Sequence, residues 1–455
     1  MIVLEKLKTH SLEPISPDMD DSKIVNYLEK LGKLPKDFNG DFLVNFLKSN
    51  NDKIRYLAVK NIGKLSSLSY INHLFKIALN DTNSNVRREA TSSIGRIRKE
   101  EVITYLVKLL NDIDPKIILQ AIRGLLVFKN NNYVKNELEK LSEHPNETIK
   151  YIISKEFEII ENDNSIISKH PETPDFMKNV IVKGDVLETL KFVPEKTIHL
   201  TFTSPPYYNA RDYSIYKSYD EYLEFLNSVF KEVYRITKEG RFFLLNTSPV
   251  IVPRVSRQHA SKRYPIPYDI HHYLIKMGWE YIDDIVWLKP EASVKNRNGG
   301  FYQHRKPLAY KPNTITECIM VYRKKTNKLL DWNMKQYSKD IVDKSKILDD
   351  YETSNVWKID PTFDKTHSAV FPLELCNRVI KFYSFVGDLV FDPFAGSGTF
   401  GEAAKNLDRY FFLTEQEPKY IERIKERVFN KILMCKHIPK VLDLEEFAEK
   451  KGKSK

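Results

Sequence analysis

Two short strings in this chain of 455 residues combine residue types that chemistry uses. The first runs Leu389-Val-Phe-Asp-Pro-Phe-Ala-Gly-Ser-Gly-Thr399. An apolar run, LVFD, enters a glycine-rich turn and then a helix-forming segment. Gly396 and Gly398 let the backbone come close to a ligand without side-chain obstruction. About 20 residues further on, the run RYFFLTE ends in Glu415, an acid at a strand tip that suits ribose hydroxyls. Gly396, Gly398 and Gly401 formally fit the dinucleotide spacing G-x-G-x-x-G, so a nicotinamide or flavin site has to be weighed. Against it, Asp392-Pro393-Phe394 puts an acid and a proline where a pyrophosphate would approach. No Lys precedes Thr399, so the string is not a Walker A loop either. The second string, Thr203-Ser204-Pro205-Pro206-Tyr207, follows the apolar run IHLTF. Ser204 Oγ and the Pro205 carbonyl are acceptors, and proline has no N–H to compete. Two prolines stiffen the loop at low entropic cost. Tyr207 offers a flat face on which a base can stack.

The first string resembles the S-adenosylmethionine loop of DNA amino-methyltransferases. The resemblance implies that Asp392, Phe394, Gly396 and Gly398 surround the methionine part, with Pro393, Ala395, Ser397 and Thr399 completing the loop. It also implies that Glu415 binds the ribose. The second string resembles the S-P-P-Y catalytic loop of enzymes that methylate cytosine N4; relatives acting on adenine N6 more often begin this motif with Asp or Asn. The chemistry fits the residue types. An exocyclic amino nitrogen is a poor nucleophile because its lone pair is delocalised into the ring. Acceptors aimed at its N–H groups draw it toward a tetrahedral shape, and positioning supplies the rest. A base inside a duplex has to flip out to reach such a loop. Cytosine C5 chemistry would need a Cys nucleophile, which in that family follows a proline. Cys318, Cys376 and Cys435 follow Glu317, Leu375 and Met434.

The catalytic string precedes the cofactor string, an order that resembles the β class, whose classes are circular permutations of one fold. The resemblance covers roughly residues 179 to 432. Gly184-Asp185 before the catalytic strand is similar to N4-cytosine members and implies that Asp185 lies near the cofactor's adenine. Ile285 to Lys289 resembles the strand before the recognition region. His367-Ser-Ala-Val-Phe-Pro372 resembles a segment that packs beside the cofactor; His367 itself reads as structural.

The elements that must hold these loops are legible as a rhythm. Val180–Lys183, Ile198–Thr203, Phe242–Asn246, Tyr281–Leu288, Ile315–Tyr322, Leu389–Asp392 and Tyr410–Thr414 read as strands. Tyr219–Lys238, Pro267–Met277, Pro372–Ser384, Gly401–Leu407 and Pro418–Phe429 read as helices. Such alternation implies an α/β fold with a mostly parallel, doubly wound sheet, which the resemblance makes a circularly permuted Rossmann-like methyltransferase domain over residues 179–440.

The first third has a different rhythm. Ile54, Val86, Ile117 and Ile149 recur at intervals of about 32 residues, and Ala58, Ala90, Ala121 and Ile153 keep the same spacing. This period means stacked helix pairs, since one pair alone cannot bury its apolar stripe. The segments resemble HEAT-like repeats and form an all-α domain over residues 1–161. Arg55, Arg87 and Lys150 hold matching positions and are expected to form either a basic ridge or a solvated face. Residues 162–178, polar with Pro171 and Pro174, read as a linker. Residues 441–455 read as a disordered basic tail. The segment from Lys324 to Asp360 reads only as a polar insertion.

A net charge of +11 favours a polyanionic partner, duplex DNA first. Arg254, Arg257, Lys262 and Arg263 make a basic loop. Lys295, Arg297, Gln303, Arg305 and Lys306 lie in a segment, about 289–314, where β-class enzymes place target recognition; Arg and Gln suit base edges and Lys suits phosphate. The 3 cysteines form no CxxC pair, so neither zinc nor a disulfide framework is indicated. No apolar run is long enough for a membrane span, and the start carries no secretion signal, so a cytoplasmic protein is expected. The reading is a site-specific DNA cytosine-N4 methyltransferase using S-adenosylmethionine, with a cognate restriction endonuclease as a further partner. Adenine N6 chemistry, an RNA substrate, and a non-catalytic DNA-binding or scaffold protein built on the repeats stay open as alternatives.

Overall fold

The structure is a computed structural model. It describes residues 19–35, 38–162, 169–208, 216–252, 256, 258, 259, 261–291, 307, 308, 314–364, 370–429 and 438–453, with side chains left aside in 158–162. The chain divides into two compact units, Met1–Ile166 and Ile167–Lys455.

The first unit is helical. Its described helices are α1 (Asp21–Lys30), α2 (Asp41–Phe46), α3 (Asp52–Leu65), α4 (Ile71–Asn80), α5 (Ser84–Arg96), α6 (Ile103–Leu109), α7 (Pro115–Leu125), α8 (Asn132–Glu139) and α9 (Glu147–Asn162). The periodic residues are the reason they stack. Ile54, Val86, Ile117 and Ile149 are buried, and Ala58, Ala90 and Ala121 are fully buried small residues. Asn51, Asn83 and Asp114 cap α3, α5 and α7 by accepting from Lys53, Asn85 and Lys116 amides, which satisfies donors the helices leave orphaned.

The expected basic ridge is corrected here. Arg55 pairs with Asp81 at 2.7 Å, with side chains 12% and 3% exposed. It also donates to the Ser49 carbonyl. Arg87 pairs with Asp112 at 3.5 Å and donates to the Asp81 carbonyl. Each arginine therefore ties its helix to the turn that ends the next helix, and little of it faces solvent. Lys150 pairs with Glu143 at the surface.

The second unit is built on a sheet whose described strands run in the order β11-β1-β10-β9-β2-β3-β7-β6-β8. They are β1 (Val180–Lys183), β2 (Ile198–Thr203), β3 (Thr237–Thr247), β6 (Trp279–Leu288), β7 (Thr316–Lys324), β8 (Val356–Lys358), β9 (Leu389–Asp392), β10 (Tyr410–Glu415) and β11 (Lys440–Asp443); β4 (Val250–Val252) and β5 (Lys262–Tyr264) form a separate hairpin. From β11 to β3 every neighbour is parallel, while β7 runs antiparallel to β3 and β6. The central strands β2 and β9 are buried along their whole length, as expected for parallel strands covered on both faces. The covering helices are α10 (Val186–Leu190), α11 (Tyr219–Ile236), α12 (Ile266–Met277), α13 (Leu330–Met334), α14 (Lys339–Lys344), α15 (Leu373–Tyr383), α16 (Thr399–Asn406), α17 (Pro418–Val428) and α18 (Leu444–Lys453). No described helix is long and apolar enough to cross a membrane.

Three boundaries differ from the sequence reading. The tail is structured: β11 pairs with β1, and Phe447 on α18 is buried between Phe176 and Phe412. Val441, Leu442 and Phe447 supply the apolar anchors that the surrounding charges mask. The second half of the expected linker is packed, since His170 accepts or donates at the Glu239 carbonyl, Lys238 donates to the Pro171 carbonyl, and Met177 is buried. The polar insertion holds an edge strand, β8, parallel to β6, with Trp357 buried.

Gly398 caps α16 in the left-handed region, at φ 77°. A Cβ there would meet Ile424 of α17 at 2.9 Å. Gly398→Ala should therefore cost about 1–3 kcal/mol in stability, from backbone strain and displacement of α17; an unchanged melting temperature would remove this reason for the glycine. Arg55→Ala should cost about 3 kcal/mol, because it leaves the buried Asp81 carboxylate unpaired. Lys150→Ala, breaking an exposed pair, should cost under about 0.5 kcal/mol. Chemical denaturation of the full chain measures all three, and equal effects for the two repeat substitutions would contradict the pairing role assigned to Arg55.

Candidate functional site

Because β1, β2, β9 and β10 are mutually parallel neighbours, their carboxyl ends lie on one edge of the sheet, where ligands bind in such folds. A cleft opens there, enclosing about 1050 Å³ of open space, mouth included. Each strand contributes the loop that follows it. Gly184 and Asp185 follow β1, Ser204 to Tyr207 follow β2, Asp392 to Ser397 with Thr399 follow β9, and Thr414 to Glu417 come with β10. The structure thus brings both strings and both strand-tip acids to one cavity. Gly398 does not line it; it lies against Ile424 and shapes the turn from behind. Aromatic and aliphatic walls come from Tyr216, Phe225, Phe371 and Tyr420.

The glycine loop is braced from β10. The Ala395 amide donates to the Thr414 carbonyl, and Thr414 Oγ1 donates to the Pro393 carbonyl at 2.7 Å. Glu415 Oε2 accepts the Gly396 amide at 2.8 Å, while Oε1 accepts the Gln416 and Glu417 amides. Burial pushes the Glu415 carboxyl up, opposed by these amides. Asp392 is buried; its Oδ1 accepts from Thr203 Oγ1 at 2.7 Å and from the Phe394 amide at 3.0 Å. Burial pushes its carboxyl up to about 7, and the nearby Glu415 charge adds to this. Asp185 caps α10 through the Glu188 amide. The described residues lining the cleft include Asp185, Asp392, Glu415 and Glu417, and no Lys or Arg.

Around Ser204 the structure adds residues that the sequence reading did not single out. Asn246, at the end of β3, donates from Nδ2 to Ser204 Oγ at 3.4 Å and to Glu317 Oε2 at 2.5 Å. Tyr207 Oη donates to Glu317 Oε2 at 3.3 Å. Lys289 closes an ion pair with Glu317 Oε1. Asn246 was findable as the polar end of the run FFLLNT, and Lys289 as the cation after IVWL. Glu317 was not, because it begins its strand and reaches this edge only through the antiparallel course of β7.

The DNA-contact candidates are divided. Lys262 and Arg263 lie on β5, Lys262 over the Tyr264 ring and Arg263 lining a second cavity with Ser248 and Glu317. Tyr264 packs edge-on against Tyr208 at 4.9 Å, which joins this hairpin to the catalytic string. Arg254, Arg257, Lys295, Arg297, Gln303, Arg305 and Lys306 lie outside the described residues, as does His367.

Comparison with known proteins agrees with this architecture. A model for HEAT repeats matches residues 40–127. Type II beta methyltransferase M.BslI of Bacillus sp. (strain NEB-606) is 27% identical, over 72% of this chain and 38% of its own length. Type II methyltransferase M.MwoI of Methanothermobacter wolfeii is 29% identical, over 55% of this chain and 35% of its own. The chain therefore spans little more than a third of the length of these two relatives. Type II methyltransferase M.ScaI of Streptomyces caespitosus is 30% identical, over 55% of this chain and 80% of its own. A Thermus thermophilus protein described as a DNA modification methylase, solved with S-adenosyl-L-methionine, is 28% identical, covering 58% of this chain and 98% of its own with a TM-score of 0.46. The N6/N4 methyltransferase family model, described as DNA methylase, matches residues 198–426, and the chain belongs to that family.

Proposed function

We propose that this protein transfers a methyl group from S-adenosyl-L-methionine to the exocyclic N4 of cytosine in duplex DNA, at a specific sequence and as the protective half of a restriction–modification pair. The observation that carries the reading is the cleft's charge. Four carboxylates and no Lys or Arg line it among the described residues, so it suits a cationic ligand with a ribose and repels a pyrophosphate. That argues against the nicotinamide or flavin alternative left by the glycine spacing. The chemistry of the lining fits S-adenosylmethionine: acids for the ribose and the ammonium, and apolar rings for the flat purine and thioether.

When bound, S-adenosylmethionine supplies an electrophilic methyl on a sulfonium centre. The chain's own residues do the rest. Asp392 holds the cationic end, and the remaining lone pairs of the Glu415 carboxylate accept from the ribose. Phe394 and Tyr420 exclude water. Ser204 Oγ and the Pro205 carbonyl accept the amino N–H bonds of a flipped base, and Tyr207 borders its ring. The DNA is gripped by Lys262 and Arg263 and by the candidates in 254–257 and 295–306. The named relatives are Type II methyltransferases, which supports the pairing with a nuclease; DNA as the substrate places the work in the cytoplasm.

Labelled methyl transfer to unmethylated genomic DNA, followed by nucleoside analysis, tests the reading. N4-methylcytosine is the expected product. N6-methyladenine would keep the site and move the base specificity, and absence of transfer despite cofactor binding would overturn DNA as the substrate. Cofactor binding should also depend on pH. The Asp392 carboxyl, raised to about 7 by burial, holds its proton below that pH in the free protein. A bound cation favours the ionised form, so binding below pH 7 must release a proton. Affinity should rise by up to about tenfold per pH unit from 5.5 to 7 and flatten above. Asp392→Asn should weaken binding and abolish this slope in calorimetric titration; a slope that survives would show that another group is responsible.

A further inference from the structure

The strongest polar constellation not used so far runs behind Ser204. Three strands deliver it to one point. β3 ends at the functional edge with Asn246. β7 is antiparallel, so it begins at that edge and brings Glu317. β6 is antiparallel to β7, so it ends there, and Lys289 follows, its amide bonded to the Ile315 carbonyl at 2.9 Å. Glu317 Oε1 takes the Lys289 ammonium, and Oε2 takes both the Asn246 amide and the Tyr207 hydroxyl. The Glu317 and Lys289 side chains are 16% and 19% exposed.

The donors in this chain have a fixed direction. A phenol has one proton to give, and Tyr207 gives it to Glu317. Tyr207 is also hydrogen-bonded to the Ser204 and Ser248 hydroxyls, so those hydroxyls must donate to it. The Ser204 proton is then committed to Tyr207, and Asn246 Nδ2 donates to one Ser204 lone pair. What remains is a lone pair, which only a donor can meet. Burial, reinforced by the Glu317 charge, pushes the Tyr207 phenol well up, so it stays protonated at any working pH. Glu317 also lines the second cavity, of about 1440 Å³ with its mouth, so its carboxylate has a route to solvent.

Resting on the amino-methyltransferase reading, we propose that Glu317 is a positioning residue: its charge, held by Lys289, polarises the chain Ser204–Tyr207–Glu317 so that Ser204 presents an acceptor to the substrate amino group and passes on the proton that group loses. The step balances. The nitrogen lone pair forms the N–C bond as the C–S bond breaks and its electron pair stays on sulfur. The nitrogen, now positive, gives one proton to Ser204 Oγ; the Ser204 proton moves to the Tyr207 oxygen, and the Tyr207 proton to Glu317. Glu317 then releases it through the second cavity. Asn246, an amide, cannot take a proton in this role and serves as a fixed donor.

Glu317→Gln is nearly isosteric but can turn its NH₂ toward Tyr207. That reverses the chain and leaves the Ser204 proton free to face the substrate. Single-turnover methyl transfer by the full chain, with DNA and cofactor saturating, should fall by about 100-fold, a typical worth of positioned proton transfer. Dissociation constants for S-adenosylmethionine and for the DNA should stay within about twofold, because Glu317 lines neither the cofactor loop nor the glycine turn. Tyr207→Phe keeps the ring and removes the link, and should lose as much. The double substitution should be no slower than either single one, since both cut the same chain. A Glu317→Gln rate within about twofold of wild type, additive losses in the double variant, or cofactor affinity falling in step with rate would each overturn the proposal. If Glu317→Gln fails to fold, Tyr207→Phe decides alone, and an undiminished rate there overturns it. Absence of transfer by the wild-type chain is a different result, which overturns the function itself.

Discussion

Thr203 and Asp392 stand 189 positions apart in the chain and share one hydrogen bond of 2.7 Å. Everything at the functional edge depends on that approach. β2 and β9 are adjacent parallel strands, so the residue after each strand emerges beside the other. One loop carries Ser204 and the other carries the glycine turn, and the Thr203 hydroxyl locks the two strand ends together. The same bond satisfies part of the buried Asp392 carboxylate, whose burial is otherwise costly. The acid is therefore held part-way between its two protonation states, where a bound cation decides the outcome. The Thr414 and Glu415 contacts brace the same loop from the other neighbour, β10, so the turn is clamped from both sides before any ligand arrives.

A purely parallel sheet would supply only loops from strand ends. The turn to antiparallel pairing at β7 changes what can be placed at this edge. It allows the first residue of a strand, Glu317, to meet the last residue of its neighbour, Asn246, and the residue following the next strand, Lys289. The result is a buried anion with three partners set behind an apolar, proline-stiffened loop. A buried ion pair of this kind is weak as a source of stability, which makes its position beside Ser204 the more informative fact about it.

The parts of this architecture that the sequence made legible are those governed by local pattern. β1, β2 and β9 begin and end where their apolar runs do, because strands buried on both faces have no polar alternation to blur the limits. The repeat helices were legible from the period of their buried Ile, Val and Ala positions and from their Asn and Asp caps. What failed was whatever depends on a distant partner. Arg55 and Arg87 looked like a ridge because their spacing is periodic, but Asp81 and Asp112 are periodic too, and the pair is buried between helices. The C-terminal segment looked like a charged tail because the groove that accepts Phe447, beside Phe176 and Phe412, is made by residues far upstream. Glu317 carried no local mark, since its role follows from strand direction alone.

The two signs of charge are sorted in space in a way that composition hides. The net balance of +11 describes a chain suited to a polyanion, yet the cleft at the sheet edge is lined by acids without a described Lys or Arg. A field that draws phosphates to the outer surface would expel a cationic small molecule from the same place, so one protein that handles both must separate the two potentials over about a Debye length, near 8–10 Å. Here the separation is made by the catalytic loop itself. Ser204 to Tyr207 line the acidic cleft on one side, while Arg263 stands with Glu317 and Ser248 at the cavity on the other. Lys289 is spent on Glu317 and contributes little field outward. A rigid wall two prolines thick thus divides a site for a cation from a surface for an anion. The geometry by which an amino group must enter, through that wall and onto a fixed acceptor, follows from where the wall stands.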